Sequence, residues 1–335
     1  MSDTKELFSE DIPFAGKASA LYRLQRAENP VYGRFCDALG APEQVSGYPD
    51  DFPLLPVRAF ADAEVITPTG ENGVEDDEED LLFRSSGTGG GPRSVHRVPD
   101  PERYRDSLLR GFRRHYRLES SAVWACTPGY SENPDSSLIW MLRELIEASG
   151  SPLSRFLPLG EAYEGGAVEV VQESGRSLVL FGAAFGLLDL LEAGAPPLPS
   201  DSVVIETGGM KTRRREMNRD ELHRRLSRGF GLDISRVHSE YGMAEMLSQA
   251  YATGGSWFHS PPWLGVTVRD PDDPSRALPP GQEGLLGFVD LANRHSCAFL
   301  LTGDRGAHNG KGKFRVEGRW KPDNMRGCNF LIDRD

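Results

Sequence analysis

The sequence predicts an α/β fold of parallel, doubly wound sheets that carries a small β-rich subdomain after residue 260. Apolar runs and helical patterns alternate between residues 100 and 240. Beyond residue 260, short apolar runs are broken by Pro, Gly and Asp, with little helical pattern between them. The length of 335 residues exceeds a usual single core, so more than one subdomain is expected.

Hydrophobic spacing places the individual elements. Residues 1–80 are expected to mix short helices with proline-rich turns. Predicted helices cover 104–116, 138–145 and 187–191; predicted strands cover 122–126, 177–181 and 202–205, and then 264–268, 284–290, 298–301 and 313–316 in the β-rich part. We therefore divide the chain into an α/β body over 1–259, a small β-barrel or sheet over 260–318, and a hinge with a short tail over 319–335.

Composition limits the classes of partner and compartment. The net charge of −12 argues against nucleic acid or an anionic membrane as the main partner, and no apolar run approaches the length of a membrane span. The first residues lack the apolar core of a signal peptide, and the four cysteines are scattered without a C-x-x-C pair. These features predict a cytoplasmic protein with reduced cysteines.

A glycine-rich run is the strongest local signal, and it reads Ser85-Ser86-Gly87-Thr88-Gly89-Gly90-Gly91-Pro92-Arg93. Successive glycines let backbone N–H groups turn toward one point, and the hydroxyls add donors, so the loop can cradle a phosphate. The usual P-loop pattern is absent. A flexible Gly/Ser linker is the alternative interpretation.

Three predicted strands lead into polar or glycine-rich segments, where ligands bind in open α/β sheets. The segments are Glu206-Thr207-Gly208-Gly209-Met210-Lys211 after Val203–Ile205, Ser239-Glu240-Tyr241-Gly242-Met243-Ala244-Glu245 after Val237-His238, and Thr302-Gly303-Asp304 after Phe299–Leu301. Tyr241 is suited to stack against a base, Glu245 to hold Mg²⁺, and Asp304 to accept hydrogen bonds from ribose hydroxyls. Each of these features, taken alone, is equally compatible with a turn that carries a solvated carboxylate.

With these motifs in this order, the chain resembles the adenylate-forming superfamily of acyl-CoA synthetases, luciferases and peptide-synthetase adenylation domains. Residues 86–93 match S-G-T-T-G-x-P-K, 241–245 match Y-G-x-T-E and 302–304 match T-G-D; Gly318-Arg319 and Asp323 match the G-R-x-x-D hinge with one additional residue between the arginine and the aspartate. The resemblance implies the N-terminal domain of that fold, lacking most of the usual C-terminal domain, with ATP and Mg²⁺ as cofactors. The chain departs from the patterns at Gly89, Arg93 and Ala244.

A narrower resemblance, over nearly the whole chain, is to the acyl-protein synthetase family of bacterial bioluminescence. It is carried by residues 136–138, 206–211, 239–243, 248–251, 290–293, 296–297 and 326–328. It implies activation of a fatty acid as acyl-AMP, transfer to a cysteine near the C-terminus, here Cys328, and delivery to a partner, either an acyl reductase or a carrier protein. The alternatives are a truncated acyl- or aryl-CoA ligase and a non-catalytic nucleotide-binding subunit.

The site residues expected on this basis fall into three groups. Catalytic roles are expected for Thr88, Arg93 and Cys328, and Glu245 is the expected metal ligand. The expected nucleotide-binding residues are Ser85, Ser86, Gly87, Thr88, Gly90, Arg93, Gly208, Gly209, Tyr241, Gly242, Asp304 and Arg319. Cys36, Cys126 and Cys297 are expected to be packing residues.

Overall fold

The computed structural model describes residues 7–9, 11–68, 80–85, 93–127, 134–158, 160–208 and 217–320, which belong to two units. The first unit comprises Met1–Ser107, Ala244–Ser248 and His259–Asp335, and the second comprises Leu108–Met243 and Gln249–Phe258. The predicted boundary after residue 259 therefore lies next to one unit boundary. Residues 1–107, by contrast, group with the β-rich segment and not with the α/β residues that follow them.

The helices agree with the hydrophobic spacing, and side chains cap several of them. Asn29 caps the second helix, Ser136 the fifth and Asn218 the eighth, each accepting a backbone N–H of the first turn. None of the described helices combines the length and apolar composition that a membrane span requires. They are α1 (Phe14–Glu28), α2 (Pro30–Ala38), α3 (Ala59–Asp62), α4 (Pro101–Arg113), α5 (Ser137–Ala148), α6 (Gly165–Glu173), α7 (Ala184–Glu192) and α8 (Arg219–Phe230).

The strands follow the predicted apolar runs and extend several of them. The described strands are β1 (Leu55–Pro56), β2 (Leu81–Arg84), β3 (Val95–Val98), β4 (Ser121–Cys126), β5 (Arg155–Phe156), β6 (Ser177–Ala183), β7 (Val203–Thr207), β8 (Val237–Tyr241), β9 (Ala250–Ala252), β10 (Phe258–His259), β11 (Leu264–Arg269), β12 (Gly284–Asp290), β13 (Phe299–His308) and β14 (Lys313–Arg319). The clearest extension is β13, because the prediction ended that strand at residue 301.

The second unit contains the parallel sheet that the strand–helix alternation predicts. Its strands lie in the order β9-β8-β7-β6-β4-β5, and all pairs are parallel except β8 with β9. Strand β4 is buried along its whole length, as expected for a strand covered on both faces. Leu187 and Leu188 of α7, Leu226 of α8 and Val171 of α6 join the core cluster of this sheet.

The first unit contains an antiparallel sheet, β11-β12-β13-β14, and β1 pairs with β13 in parallel. The N-terminal helices supply its aromatic core. Phe299 of β13 lies 5.3 Å from the stacked ring of Tyr32, 5.8 Å from Tyr22 and 4.7 Å from Phe52, measured between ring centroids. This part of the chain therefore forms an antiparallel sheet, and a separate β-rich subdomain closed into a barrel stays a prediction.

A glycine in the parallel sheet provides a test of this packing. A Cβ at Gly182 of β6 would lie 2.2 Å from the backbone oxygen of Cys126 on the adjacent strand. Since the sheet must open to admit it, Gly182→Ala is expected to lower the unfolding free energy by about 1–3 kcal/mol. Gly166→Ala in α6, where a Cβ meets no described atom within 4 Å, is the control in urea unfolding. Equal stability of the two variants would contradict the described register.

Candidate nucleotide and magnesium site

The glycine-rich run connects the two strands of a hairpin. Strands β2 and β3 pair antiparallel, and Ser85 and Ser94 close the base of the loop: Ser85 N donates to Ser94 O, and Ser94 N donates to Ser85 Oγ, both at 3.0 Å. Arg93 is exposed beside this base. Ser86, Gly87, Thr88 and Gly90 lie outside the described residues.

Glu245 lies beside the base of this loop. Its side chain is buried, and burial raises the pKa of the carboxyl group above its ordinary value. The Ser94 side chain hydrogen-bonds to the carboxylate, and the Arg319 guanidinium favours its charged form, whereas Asp304 opposes it. Three segments far apart in sequence therefore meet around one carboxylate in the first unit.

Asp304 and Arg319 form a cross-strand ion pair next to Glu245. They are register partners on β13 and β14, and Arg319 Nε lies 3.3 Å from Asp304 Oδ1. Asp304 is mostly buried, whereas the Arg319 side chain is 67% exposed, so the cation remains accessible to an anionic ligand. The Thr302 hydroxyl donates to Leu286 O and accepts from Asp304 N, which fixes the turn of the backbone at the motif.

The expectation that residues 302–304 follow a strand end is wrong. Strand β13 continues through them to His308, with a register shift between Arg305 and Gly306. A second irregularity, in the pairing of β13 with β12 between Leu301 and Arg305, spans residues 302–304, where the chain passes from the buried Thr302 to the exposed Gly303. A β-bulge of this kind redirects side chains within a strand, so a polar motif is presented without ending the strand.

In the second unit, the ends of β7 and β8 carry the other motif residues. The Thr207 hydroxyl donates to Glu240 Oε2 at 2.5 Å, and the two residues are register partners. Burial raises the pKa of Glu240 to about 7, which the bond from Thr207 opposes and the neighbouring Glu206 reinforces. Tyr241, the last residue of β8, is buried and packs edge-to-face on Phe258 at 5.9 Å.

The motif glycines have different surroundings. A Cβ at Gly242 would lie 2.6 Å from Glu240 Oε1, so a side chain at this position would displace the buried Glu240 carboxylate. A Cβ at Gly208 would meet no described atom within 4 Å, and Gly208 is exposed at the end of β7. Gly209 lies outside the described residues.

A buried Glu206–His223–Ser239 cluster invites comparison with a hydrolytic triad. His223 Nε2 contacts both Ser239 Oγ at 3.1 Å and Glu206 Oε1 at 3.3 Å, and the Ser239 hydroxyl donates to Glu206. A triad needs the serine and the acid on different ring nitrogens. Because one nitrogen faces both groups and Ser239 is 1% exposed, the cluster is a packing network in the wall of the second unit.

The donors around Glu245 fit a magnesium ion that arrives with a nucleotide. Mg²⁺ at phosphate sites is held by one or two carboxylates together with phosphate and water oxygens, and not by a cage of protein ligands. Among the described residues no group of three or more His, Cys, Asp or Glu forms such a cage. Glu245 would supply the oxygen ligand beside the loop base, and Asp304 would add a second carboxylate nearby.

Three of the four cysteines are core residues, as predicted. Cys36, Cys126 and Cys297 are buried and free. Burial raises the pKa of all three thiols, that of Cys126 to about 12. Because the thiolate is the reactive form, none of them suits nucleophilic chemistry. Cys328 lies outside the described residues.

Sequence reasoning missed two of the groups that shape this site. Neither was given a role from the sequence: Ser94 belongs to no recognised motif and lies far in sequence from Glu245, and Glu240 was included only in a strand-end segment and among the residues that carry the family resemblance. The sequence signal available for Glu240 was its place directly before Tyr241 at a strand end, where ligands bind.

Comparison with known proteins finds one family model and one ligase that the chain is similar to. A family model described as "Acyl-protein synthetase, LuxE" matches residues 170–334. The long-chain-fatty-acid–luciferin-component ligase of Vibrio harveyi is 24% identical over 336 residues, which cover 93% of this chain and 85% of the relative.

Solved structures of adenylate-forming ligases share the fold. A 2-hydroxyisobutyryl-CoA ligase in complex with 2-HIB-AMP and CoA matches with a TM-score of 0.58 and 17% identity, over 92% of this chain and 71% of that one. ATP-bound MatB from Rhodopseudomonas palustris matches with a TM-score of 0.51 and 16% identity, over 75% of this chain and 50% of that one. At these identities the likeness shows the fold alone.

The raised pKa of Glu240 predicts a pH-dependent stability difference. The ordinary value of 4.5 is raised to about 7, so the wild-type protein loses stability as pH rises through this window, whereas Glu240→Gln stays neutral and still accepts the Thr207 bond. Between pH 5 and pH 8 the variant is expected to gain about 2–3 kcal/mol relative to wild type in urea unfolding. The exposed Glu173→Gln is the control. A difference that is constant with pH would show that Glu240 is not a buried acid.

Proposed function

We propose that the chain is an acyl-protein synthetase that uses ATP to activate a carboxylic acid of the fatty-acid class as an acyl-adenylate; the family model over residues 170–334 and the Vibrio harveyi ligase support this proposal. The acyl group then passes to a thiol, for which we propose Cys328. In the first step a carboxylate oxygen of the acid attacks the α-phosphorus of ATP, and pyrophosphate leaves. In the second step the thiolate attacks the acyl carbonyl carbon, and AMP leaves.

One observation carries the first step: the buried carboxylate of Glu245 lies at the base of the glycine-rich loop, together with the Asp304–Arg319 pair. Two anions repel each other when a carboxylate approaches a triphosphate, so this reaction depends on charge neutralisation and positioning. Magnesium, held by Glu245, would supply that neutralisation at the phosphates. Arg93 and Arg319 add fixed positive charge at the loop base and at β14.

The remaining motif residues support recognition of the nucleotide. Asp304 is an acceptor suited to ribose hydroxyls, and Arg319 Nε lies 3.3 Å from its Oδ1. We assign the loop donors Ser85, Ser86 and Thr88 and the glycines Gly87 and Gly90 to the phosphates. In the second unit, Tyr241 with Gly208, Gly209 and Gly242 is assigned to the base.

The choice of Cys328 rests on the chemistry of the four thiols. Cys36, Cys126 and Cys297 are buried with raised pKa values, which removes them as acyl acceptors. Cys328 follows Arg326, and a neighbouring cation lowers the pKa of a thiol and increases its thiolate fraction. A thioester at that position would be delivered to a partner, either an acyl reductase or a carrier protein. We place the reaction in the cytoplasm, where free thiols persist.

Intact mass spectrometry tests the acyl acceptor. After incubation with ATP, Mg²⁺ and fatty acids of graded length, the wild-type protein is expected to carry a hydroxylamine-labile adduct whose mass identifies the acid. Cys328→Ala is expected to lose the adduct and keep acid-dependent exchange of pyrophosphate into ATP, and Cys36→Ala is expected to keep both. An adduct that persists in Cys328→Ala would contradict the assignment. In a parallel incubation that also contains coenzyme A, free acyl-CoA formed without a protein adduct would identify a CoA ligase instead.

A second variant tests the magnesium ligand. Glu245→Gln keeps the side-chain size and an acceptor for Ser94 but removes the charge, so AMP formation is expected to fall roughly ten- to a hundredfold. The loss should diminish at high Mg²⁺ concentration, because a weaker site is filled by mass action. Glu283→Gln, at an exposed carboxylate of the same unit, is the control. An unchanged magnesium dependence in Glu245→Gln would remove Glu245 from the site.

A further inference from the structure

The segment Ala244–Ser248, which carries Glu245, forms no helix or strand. Buried side chains from elsewhere in the first unit bind its polar groups instead. Asp290, at the end of β12, is fully buried; its Oδ2 accepts Leu247 N at 2.8 Å and its Oδ1 accepts the Ser248 hydroxyl at 2.5 Å. A buried carboxylate needs such donors, so these bonds hold the C-terminal part of the segment.

Two other side chains hold the backbone at Glu245 itself. Asn293 Nδ2 donates to the carbonyl oxygen of Glu245 at 2.8 Å, and His96 Nδ1 lies 2.7 Å from the carbonyl oxygen of Ala244. A carbonyl oxygen only accepts, so Nδ1 of His96 carries a proton and donates it. Ser296 connects the two side chains, since its hydroxyl contacts His96 Nε2 at 2.8 Å and Asn293 Oδ1 at 2.5 Å.

The hairpin strand β3 couples this backbone contact to the carboxylate. Ser94, directly before β3, hydrogen-bonds to the side chain of Glu245, and His96, two residues later, bonds to the carbonyl oxygen of Ala244. Residues two apart in extended backbone face the same side. The segment Ser94–His96, which follows the glycine-rich loop, therefore contacts both the side chain of the proposed metal ligand and the backbone of the residue before it.

From this geometry we propose that His96, Asn293 and Asp290 form a buried clamp that positions Glu245 and thereby determines how tightly the enzyme binds magnesium with its nucleotide. The proposal rests on the proposed function for the role of Glu245. His96 is a positioning residue: it contacts the backbone of Ala244, and it acts on the metal through the placement of Glu245. Removing its bond to Ala244 is expected to weaken metal binding and to leave the reaction rate at saturating metal nearly unchanged.

Two variants of His96 separate its two contacts. In His96→Asn the amide nitrogen takes the place of Nδ1 and can still donate to Ala244. In His96→Gln the amide group takes the place of Nε2, which keeps the contact with Ser296 and removes the bond to Ala244. His308→Gln is the matched control, because His308 is buried in the same unit and contacts a backbone carbonyl, that of Leu278.

Metal binding is measured without catalysis, by electron paramagnetic resonance of free Mn²⁺ with the protein and α,β-methylene-ATP. His96→Gln is expected to raise the dissociation constant for Mn²⁺ roughly tenfold, the size of one lost buried hydrogen bond, and His96→Asn by less than about threefold. His308→Gln should match wild type. In parallel, the Mg²⁺ concentration for half-maximal AMP formation should rise in the same order, with the rate at saturating Mg²⁺ nearly unchanged.

The outcomes distinguish the clamp from the proposed function. Wild-type protein that binds Mn²⁺ but forms no AMP with any acid would refute the function, while the order of the Mn²⁺ constants still decides the clamp. Equal Mn²⁺ binding by wild type and both His96 variants would overturn the clamp. Equal weakening in His96→Gln and His308→Gln, or no Mn²⁺ binding by wild type, would overturn it as well.

Discussion

The candidate site of the first unit depends on the hydrogen bonds that the buried carboxylate of Asp290 accepts. It accepts from Leu247 N, the Ser248 hydroxyl and Ala292 N, so one side chain ties an irregular segment to the end of β12. Arg103 secures the same turn by donating to the carbonyl oxygens of Leu291 and Ala292. Without these bonds a charge would remain buried without compensation, which explains why the acid is surrounded by donors.

Glu245 and Glu240 are close in sequence, and the groups around them affect their charged forms differently. Burial raises the pKa of both. The Thr207 hydroxyl stabilises the charged form of Glu240, whereas burial and the neighbouring Glu206 disfavour it. The carboxyl group therefore takes up a proton near neutral pH. Glu245 has the Ser94 hydroxyl and the Arg319 guanidinium, which favour the charged form that a magnesium ion requires. Burial still raises the pKa of Glu245, and a bound magnesium ion would act with Ser94 and Arg319 to favour the charged form.

The sequence predicted those features that local pattern determines. Apolar periodicity gave the parallel strands β4, β6 and β7, and residue order gave the motifs around Glu245 and Asp304. The hairpin that joins Ser85 to Ser94 and the contact between His96 and Ala244 were not predicted, because they bring together residues from separate strands or segments. His96 and Ala244 are 148 positions apart, and a side-chain bond over that separation leaves no periodic signal. The continuation of β13 past Asp304 was missed because Thr-Gly-Asp also has the composition of a turn.

The central claim is that this chain joins a carboxylic acid to AMP. The most direct test is exchange of labelled pyrophosphate into ATP by the wild-type protein, measured with and without fatty acids of graded chain length. Exchange that requires both the acid and Mg²⁺, and that proceeds without coenzyme A, is the predicted result. ATP binding without acid-dependent exchange would contradict the claim and identify the chain as a nucleotide-binding protein that does not activate acids.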